Sequence, residues 1–246
     1  MLHLLVALLA TSAHAFTFTP MSVSFDPSGT GSTRSFQIEN DSDASTAVEI
    51  SMSGREIALD GEEKQPKSPE IEGKFLVYPP QMVLKPKEKR TVRVTWKGDA
   101  KPQKELAYRI IAEQLPVDTE KKKANEAAVI KMLLKYMGAV YITPAEAKPE
   151  LRFSAAPAQG APLAKPAKNK KPAQLLALEI ENLGGAHEVL APSKVTLSAG
   201  GKSVTLAPEE LEKVRGQNIL AGAKRRIILS WPAGLPVGPV QVSLEK

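Results

Sequence analysis

Cysteine is absent from the 246 residues, and histidine occurs only at His3, His14 and His187. The chain therefore has no disulfide, no thiolate nucleophile and no Cys-His pair. With so few imidazoles there is no Ser-His-Asp set and no zinc cluster. A phosphate-binding glycine loop is missing too, because Gly29-Thr-Gly31 precedes a strand pattern and not a helix. The acidic pairs Glu62-Glu63 and Glu209-Glu210 read as loop residues, unaccompanied by any nucleotide or sugar signature. These absences predict a protein that is not an enzyme and that carries no cofactor and no metal. Long apolar runs are lacking as well. The longest, Leu4 to Ala10, is too short to span a bilayer, so no stable membrane insertion is expected.

Charge of one sign is not concentrated either. The formal net charge is +6, spread over short clusters at Lys121-Lys122-Lys123, Lys168 with Lys170-Lys171, and Arg225-Arg226. No aromatic side chains interleave these clusters. They read as solvated loops, and nucleic acid is not an expected partner.

The first fifteen residues have the pattern of a secretory signal. A short apolar core ends at Ala10, and Ala13-His-Ala15 fits a small-x-small cleavage site, although no basic segment precedes the core. Cleavage after Ala15 is expected. It would leave His187 as the only histidine of a mature chain in an exported compartment, where the absence of disulfides is no obstacle.

What is abundant is strand alternation broken by turns. Phe16 to Phe25, Thr33 to Glu39, Thr46 to Ser53, Phe75 to Tyr78, Arg90 to Trp96 and Leu106 to Leu115 all carry strand signals, with Asp26-Pro-Ser-Gly29 and Asn40-Asp-Ser-Asp43 as turns. In Arg90 to Trp96 the alternation is cleanest, with Val92, Val94 and Trp96 on the inner face. Residues 54–74 are polar and read as a long loop or weak strand. The stretch Val129 to Pro144 is ambiguous by itself. Ala127, Ile130, Leu134 and Met137 fit helical spacing, whereas Ala128, Ile130, Met132, Leu134 and Tyr136 share one face of a strand. An all-β sandwich of the immunoglobulin type needs a last strand there, and fold-level demand outweighs local propensity. Ala155 to Pro172, rich in Ala, Pro, Gly and Lys, reads as a linker. Strand signals resume at Leu175 to Glu181, Lys194 to Ser198, Lys202 to Leu206, Arg225 to Trp231 and Val237 to Leu244. The expected organisation is a signal at 1–15, a first immunoglobulin-like domain at 16–145, and a second β-sandwich at 146–246.

Several strings are specific enough to indicate a family. They are Phe25-Asp26, Ile38-Glu-Asn40, Tyr78-Pro-Pro-Gln-Met-Val-Leu-Lys-Pro86 running into Arg90-Thr-Val-Arg-Val94, and Glu105-Leu-Ala-Tyr-Arg-Ile-Ile-Ala-Glu-Gln-Leu-Pro116. In the second half they are Ile180-Glu-Asn-Leu-Gly-Gly-Ala-His187, Ile219 to Arg226, and Trp231-Pro232. In their order and spacing the chain resembles the PapD-like periplasmic pilus-assembly chaperones of the chaperone–usher type, most closely the divergent, archaic branch.

The resemblance implies two immunoglobulin-like domains in a boomerang, periplasmic location, and two partners, pilus subunits and an outer-membrane usher. It also implies donor-strand complementation, in which the chaperone's own strand completes a subunit sandwich that lacks one. With the family's proline at Pro144, the donor positions fall on Ile130, Met132 and Leu134, extended by Ala128 and Tyr136. The family clamps the subunit's terminal carboxylate with an Arg and a Lys. Those positions hold Ser22 and Ala139 here. Arg109, expected opposite about Met137, is the first candidate replacement, and Lys135 is the second. Thr143 stands where much of the family has an Arg of an interdomain network, whose acidic member is matched by Glu105. The competing reading is a two-domain structural or adhesive exported protein that has lost the chaperone task, which the absent clamp favours.

Overall fold

The computed structural model describes residues 16–116, 132–158 and 174–245. The proposed signal, the donor positions Ala128 and Ile130, the lysine-rich connection 117–127 and most of the linker lie outside these residues.

The first half of the chain forms β1 (Phe16–Thr19), β2 (Ser22–Phe25), β3 (Thr33–Asn40), β4 (Thr46–Gly54), β5 (Glu56–Ile57) and β6 (Glu63–Lys64). It continues with α1 (Pro69–Gly73), β7 (Phe75–Tyr78), β8 (Gln81–Leu84), β9 (Lys89–Trp96), β10 (Leu106–Leu115) and β11 (Lys135–Ile142). The second half forms β12 (Leu151–Pro157), β13 (Leu175–Asn182), β14 (Glu188–Val189), β15 (Lys194–Ala199) and β16 (Lys202–Thr205). After these come α2 (Pro208–Val214), β17 (Asn218–Ile219), β18 (Lys224–Ser230) and β19 (Gln241–Glu245).

In the first half, a sheet of order β1-β3-β9-β7 faces a sheet of order β2-β11-β10-β4-β8. Period-two alternation explains the core between them. Phe16, Phe18, Phe36, Ile38, Val92, Val94 and Trp96 point inward from one sheet, and Val48, Ile50, Met52, Tyr108, Ile110, Val140 and Ile142 from the other. The second half has its own core of Leu176, Leu178, Ile180, Val195, Leu197, Leu211, Val214, Ile219 and Leu229. It lies between the sheets β12-β13-β18 and β16-β15-β19.

The two Ile-Glu-Asn strings do the same structural job, one in each half. Asn40 ends β3 fully buried, and its amide donates to Ala44 O (2.7 Å), Leu84 O (3.2 Å) and Lys85 O (3.0 Å) while its oxygen accepts from Ser42. Asn182 ends β13 and donates to Ala186 O (2.7 Å) and Ile219 O (3.1 Å), accepting from the Glu150 and Gly184 amides. Each side chain ties neighbouring turn and strand carbonyls to the end of its own strand, a net gain of about 1 kcal/mol per bond and a larger loss if buried groups were left unpaired.

Several expectations need correction. Residues 54–74, expected as a long loop or weak strand, hold the two short strands β5 and β6 as a hairpin and, unanticipated, α1, capped by Ser68 accepting from Ile71 N–H. Gln81–Leu84 is a strand beyond those anticipated, pairing with β4. Ala155 to Pro157 belongs to β12 and not to a linker. Glu209-Glu210 is not loop. Both lie in α2, and Glu210 is buried, accepting from Lys213 Nζ (2.8 Å), Ser230 Oγ (2.8 Å) and Ser230 N–H (3.1 Å). Pro208 at the first turn with Leu211 and Val214 turned inward was a readable helix signal. Among the described residues no helix is long and apolar enough to cross a membrane.

Candidate functional site

The ambiguous stretch is a strand from Lys135 onward, antiparallel to β10, with its C-terminal half parallel to β2. β2 covers only Ala139 to Ile142. Hydrogen bonds give the orientation of the edge. Gln114 N–H donates to Leu134 O on the β10 side, whereas Ala139 N–H and Thr143 N–H donate to Met21 O and Phe25 O on the β2 side. By the period of two, the backbone groups of Lys135 and Met137 face away from β10, along a stretch where no described strand pairs with them. Exposed large apolar side chains gather at this edge: Met132 (75% exposed), Leu133 (52%), Met21 (43%) and Met137 (40%).

The face proposed from the sequence divides along its length. Val140 and Ile142 are fully buried in the core, and Gly138 abuts Ile110 and Phe18. Tyr136 is half-buried, edge-on to Phe16 at 4.9 Å between ring centroids, and its hydroxyl donates to Phe16 O at 2.7 Å. Leu134 packs partly against the same core, and Met132 is largely uncovered. Cover from the chain's own domain thus diminishes from Ile142 back to Met132.

The opposite face of the same sheet carries the charged groups. Ser22, Ala139, Arg109 and Ser53 lie side by side across β2, β11, β10 and β4. Arg109 therefore stands opposite Ala139, two residues from the expected Met137. Its guanidinium forks onto Glu63, with Nε to Oε1 and Nη2 to Oε2 both at 2.6 Å. Arg55 adds an Nε bond to Glu63 Oε2 at 2.9 Å and donates Nη1 to the Tyr141 hydroxyl at 2.6 Å. The Arg55, Arg109 and Glu63 side chains are only 7%, 16% and 20% exposed. Burial pushes the Glu63 carboxyl up, but hydrogen bonds from Arg109 and Gln65, with the charge and hydrogen bond of Arg55, outweigh it and hold the pKa at about 2. Lys135 instead pairs with Glu113 on the neighbouring strand at 3.0 Å, in solvent, where such a pair contributes about 0–1 kcal/mol.

Beside this cluster the two halves of the chain meet. The Glu105 side chain is nearly fully buried. It accepts from Thr143 Oγ1 (2.9 Å) and from His187 N–H (3.0 Å), and its Oε1 lies 2.6 Å from His187 Nδ1. Thr143 thus keeps a bond to Glu105 although it is not the family's Arg. The His187 ring stacks on Tyr141 at 3.7 Å, and the Tyr141 hydroxyl accepts from Asn218 Nδ2 at 2.7 Å. Sequence reasoning singled out Glu105, Arg109 and Lys135 but gave no role to Arg55, Glu63, Tyr141 and Asn218. Glu63 carried no signal beyond being one of two adjacent glutamates. Among the described residues, no group of three or more His, Asp or Glu could hold a metal ion.

A family model described as pili and flagellar-assembly chaperone, PapD N-terminal domain, matches residues 18–148. Among solved structures, the chain is similar to the class 5 fimbriae chaperone CfaA, with 16% identity over 94% of this chain and 99% of that one and a TM-score of 0.57. It is also similar to a structure of the CsuC–CsuE chaperone–tip adhesion subunit pre-assembly complex from archaic chaperone–usher Csu pili of Acinetobacter baumannii, with 14% identity over 94% and 98% and a TM-score of 0.60. A third match, from the Salmonella enterica SafA pilin in complex with the SafB chaperone, has 14% identity over 89% and 85% and a TM-score of 0.52. At these identities the solved structures establish the shared two-domain fold. No curated protein sequence matches the chain.

Proposed function

The chain belongs to the PapD-like family of pili and flagellar-assembly chaperones, and from that membership we propose that it keeps exported pilus subunits folded and soluble by lending them a strand. The family is one of chaperones, in keeping with a protein that is not an enzyme. The observation that carries the finer reading is the edge of β11. No described strand pairs with it from Lys135 to Gly138, where Met137 O accepts only a long bond from Arg109 Nη1 (3.4 Å), and it is flanked by exposed Met132 and Leu133. An unpaired strand edge beside uncovered apolar side chains is an aggregation hazard unless a partner chain uses it.

In this reading, backbone bonds from the β11 edge complete the subunit's sheet. Ala128, Ile130, Met132, Leu134 and Tyr136 are the donor residues, with Met132 the most available and Leu134 and Tyr136 shared with the chain's own core. Three large side chains buried at about 1.5–3 kcal/mol each supply on the order of 5–9 kcal/mol before ordering costs. Arg109 is the preferred anchor for the subunit's terminal carboxylate. It stands directly opposite Ala139, with Ser22 one strand further across on β2; these two are the positions where the family keeps its own basic residues. Lys135, exposed and only weakly committed to Glu113, is the second candidate. Work in the periplasm, with delivery to an outer-membrane usher, completes the proposal, as does a division into a signal at 1–15 and domains at 16–145 and 146–246.

The test is co-expression with small exported subunits from neighbouring reading frames, followed by pull-down. Changing Ile130, Met132 and Leu134 together to Asp should abolish the soluble complex while leaving the chain folded. An undiminished yield of complex would remove the donor assignment.

A further inference from the structure

Glu63 sits at the base of a hairpin that reaches from one half of the chain to the other. β5 and β6 are joined by only two residue pairs, Glu56 with Lys64 and Ile57 with Glu63. At the tip, Leu59 O accepts from Arg226 N–H (2.7 Å) on β18 and from Arg225 Nη1 (3.1 Å). The tip also borders an open cleft of about 710 Å³, lined among others by Asp60, Lys213 and Ile228. The hairpin is therefore a strap, tied at its tip to the second half and at its base to Arg55 and Arg109.

The chemistry at the base is that of a carboxylate receptor already filled. A guanidinium fork closed on both oxygens of one carboxylate is the geometry in which Arg recognises a terminal carboxyl group. Arg109 makes this fork with Glu63, and Arg55 makes a third bond to the same carboxylate. Two arginines face one glutamate, so the cluster keeps one excess positive charge. The fully buried Ser53, next to Arg109 in the same row, has an Oγ without a hydrogen-bond partner among the described residues.

We propose that Glu63 is an internal stand-in for the subunit's terminal carboxylate, which holds the Arg55–Arg109 pair in the unloaded chain and leaves with its hairpin when a subunit docks. The proposal rests on the reading of Arg109 as the anchor, and adds Arg55 as a second arm and the hairpin as the element that exchanges. Its physical advantage is that a buried guanidinium is never left without a counter-charge, which would be costly. Its consequence is a tax on affinity. Only the fraction of molecules with the strap displaced can accept a carboxylate with the full fork, so the apparent Kd exceeds the intrinsic one by the reciprocal of that fraction.

The experiment uses the full chain and a defined probe, the tetrapeptide acetyl-Ala-Val-Thr-Tyr with a free C-terminal carboxylate, against its C-terminal amide. Binding is followed by the Arg Nε–H resonances in NMR titrations. Glu63→Gln should bind the free-carboxylate peptide at least about 10-fold more tightly than the parent chain. The amide should gain nothing, and Arg109→Gln should lose the preference for the free acid. Should Glu63→Gln fail to fold, the parent chain still decides. At high peptide concentration the Glu63 side-chain carboxyl ¹³C resonance should move away from its ion-paired position, and only with the free acid. Equal affinity in parent and Glu63→Gln, with the acid preference still lost in Arg109→Gln, would overturn the exchange and leave the anchor standing. No preference for the acid in any variant would overturn the anchor and the exchange together.

Discussion

Truncating Met132 separates a residue held for a partner from one held for the fold. Its side chain is 75% exposed in the unloaded chain, so it contributes little to stability. Met132→Ala should change the free energy of unfolding by no more than about 0.5 kcal/mol. In a complex, the same side chain would enter a pocket of the subunit. Full burial of a methionine gives about 1.5–3 kcal/mol, and with three quarters of the side chain still to be covered, truncation removes about 1–2 kcal/mol of binding. At ~1.4 kcal/mol per tenfold, that is a roughly 5- to 30-fold loss of affinity. Leu134 provides the contrast, since it already packs partly against its own core. Leu134→Ala should lose both, with about 1–2 kcal/mol of stability gone and the midpoint of thermal unfolding lowered by roughly 3–8 °C. The assay is competition between parent and variant chains for one tagged subunit, alongside thermal unfolding of the unloaded chains. If Met132→Ala competes within twofold of the parent, or lowers the midpoint as much as Leu134→Ala, the assignment of this face to a partner is wrong.

Two further perturbations test the cluster around Arg109 and the junction beside it. The Glu63 carboxyl sits at about 2 in the folded chain against an ordinary 4.5, so its contribution is present above pH about 4.5 and disappears as pH falls towards 2. Urea unfolding between pH 6 and pH 2.5 should therefore show a steeper acid loss in the parent than in Glu63→Gln, by on the order of 1–2 kcal/mol after allowance for solvent screening, whereas parallel profiles would contradict the ion-pair assignment. Glu105→Ala removes the acceptor shared by Thr143 and His187, and should uncouple the two halves of the chain into separate calorimetric transitions at a loss of about 2–4 kcal/mol. A single unchanged transition would show that the junction is held elsewhere.

Alternation and turn chemistry in the sequence were enough to determine the two sandwiches. Period-two runs such as Val92, Val94 and Trp96 become core because a strand turns alternate residues to one side, whatever its neighbours are. Asn40 and Asn182 were legible as ends of strands because their side chains satisfy backbone groups close by in the turn, at Ala44 and Ala186. The identity of Val129 to Pro144 as a strand needed the fold, since its residues suit a helix equally well; pairing with β10 and β2 decides it from Lys135 onward. Arg109 could be named from the sequence, but its partners in the charged cluster could not. Glu63 meets Arg109 46 residues away, and Arg55 meets Tyr141 86 residues away, on an outer face where polar side chains follow no periodicity. Register across β2, β11, β10 and β4 is what brings Arg109 beside Ala139 and into one row with Ser22, and a hairpin of two residue pairs is what delivers a carboxylate to it. Burial follows local pattern and is written along the chain. A partner for a charge is set by where distant strands come to lie, and only the tertiary structure decides that.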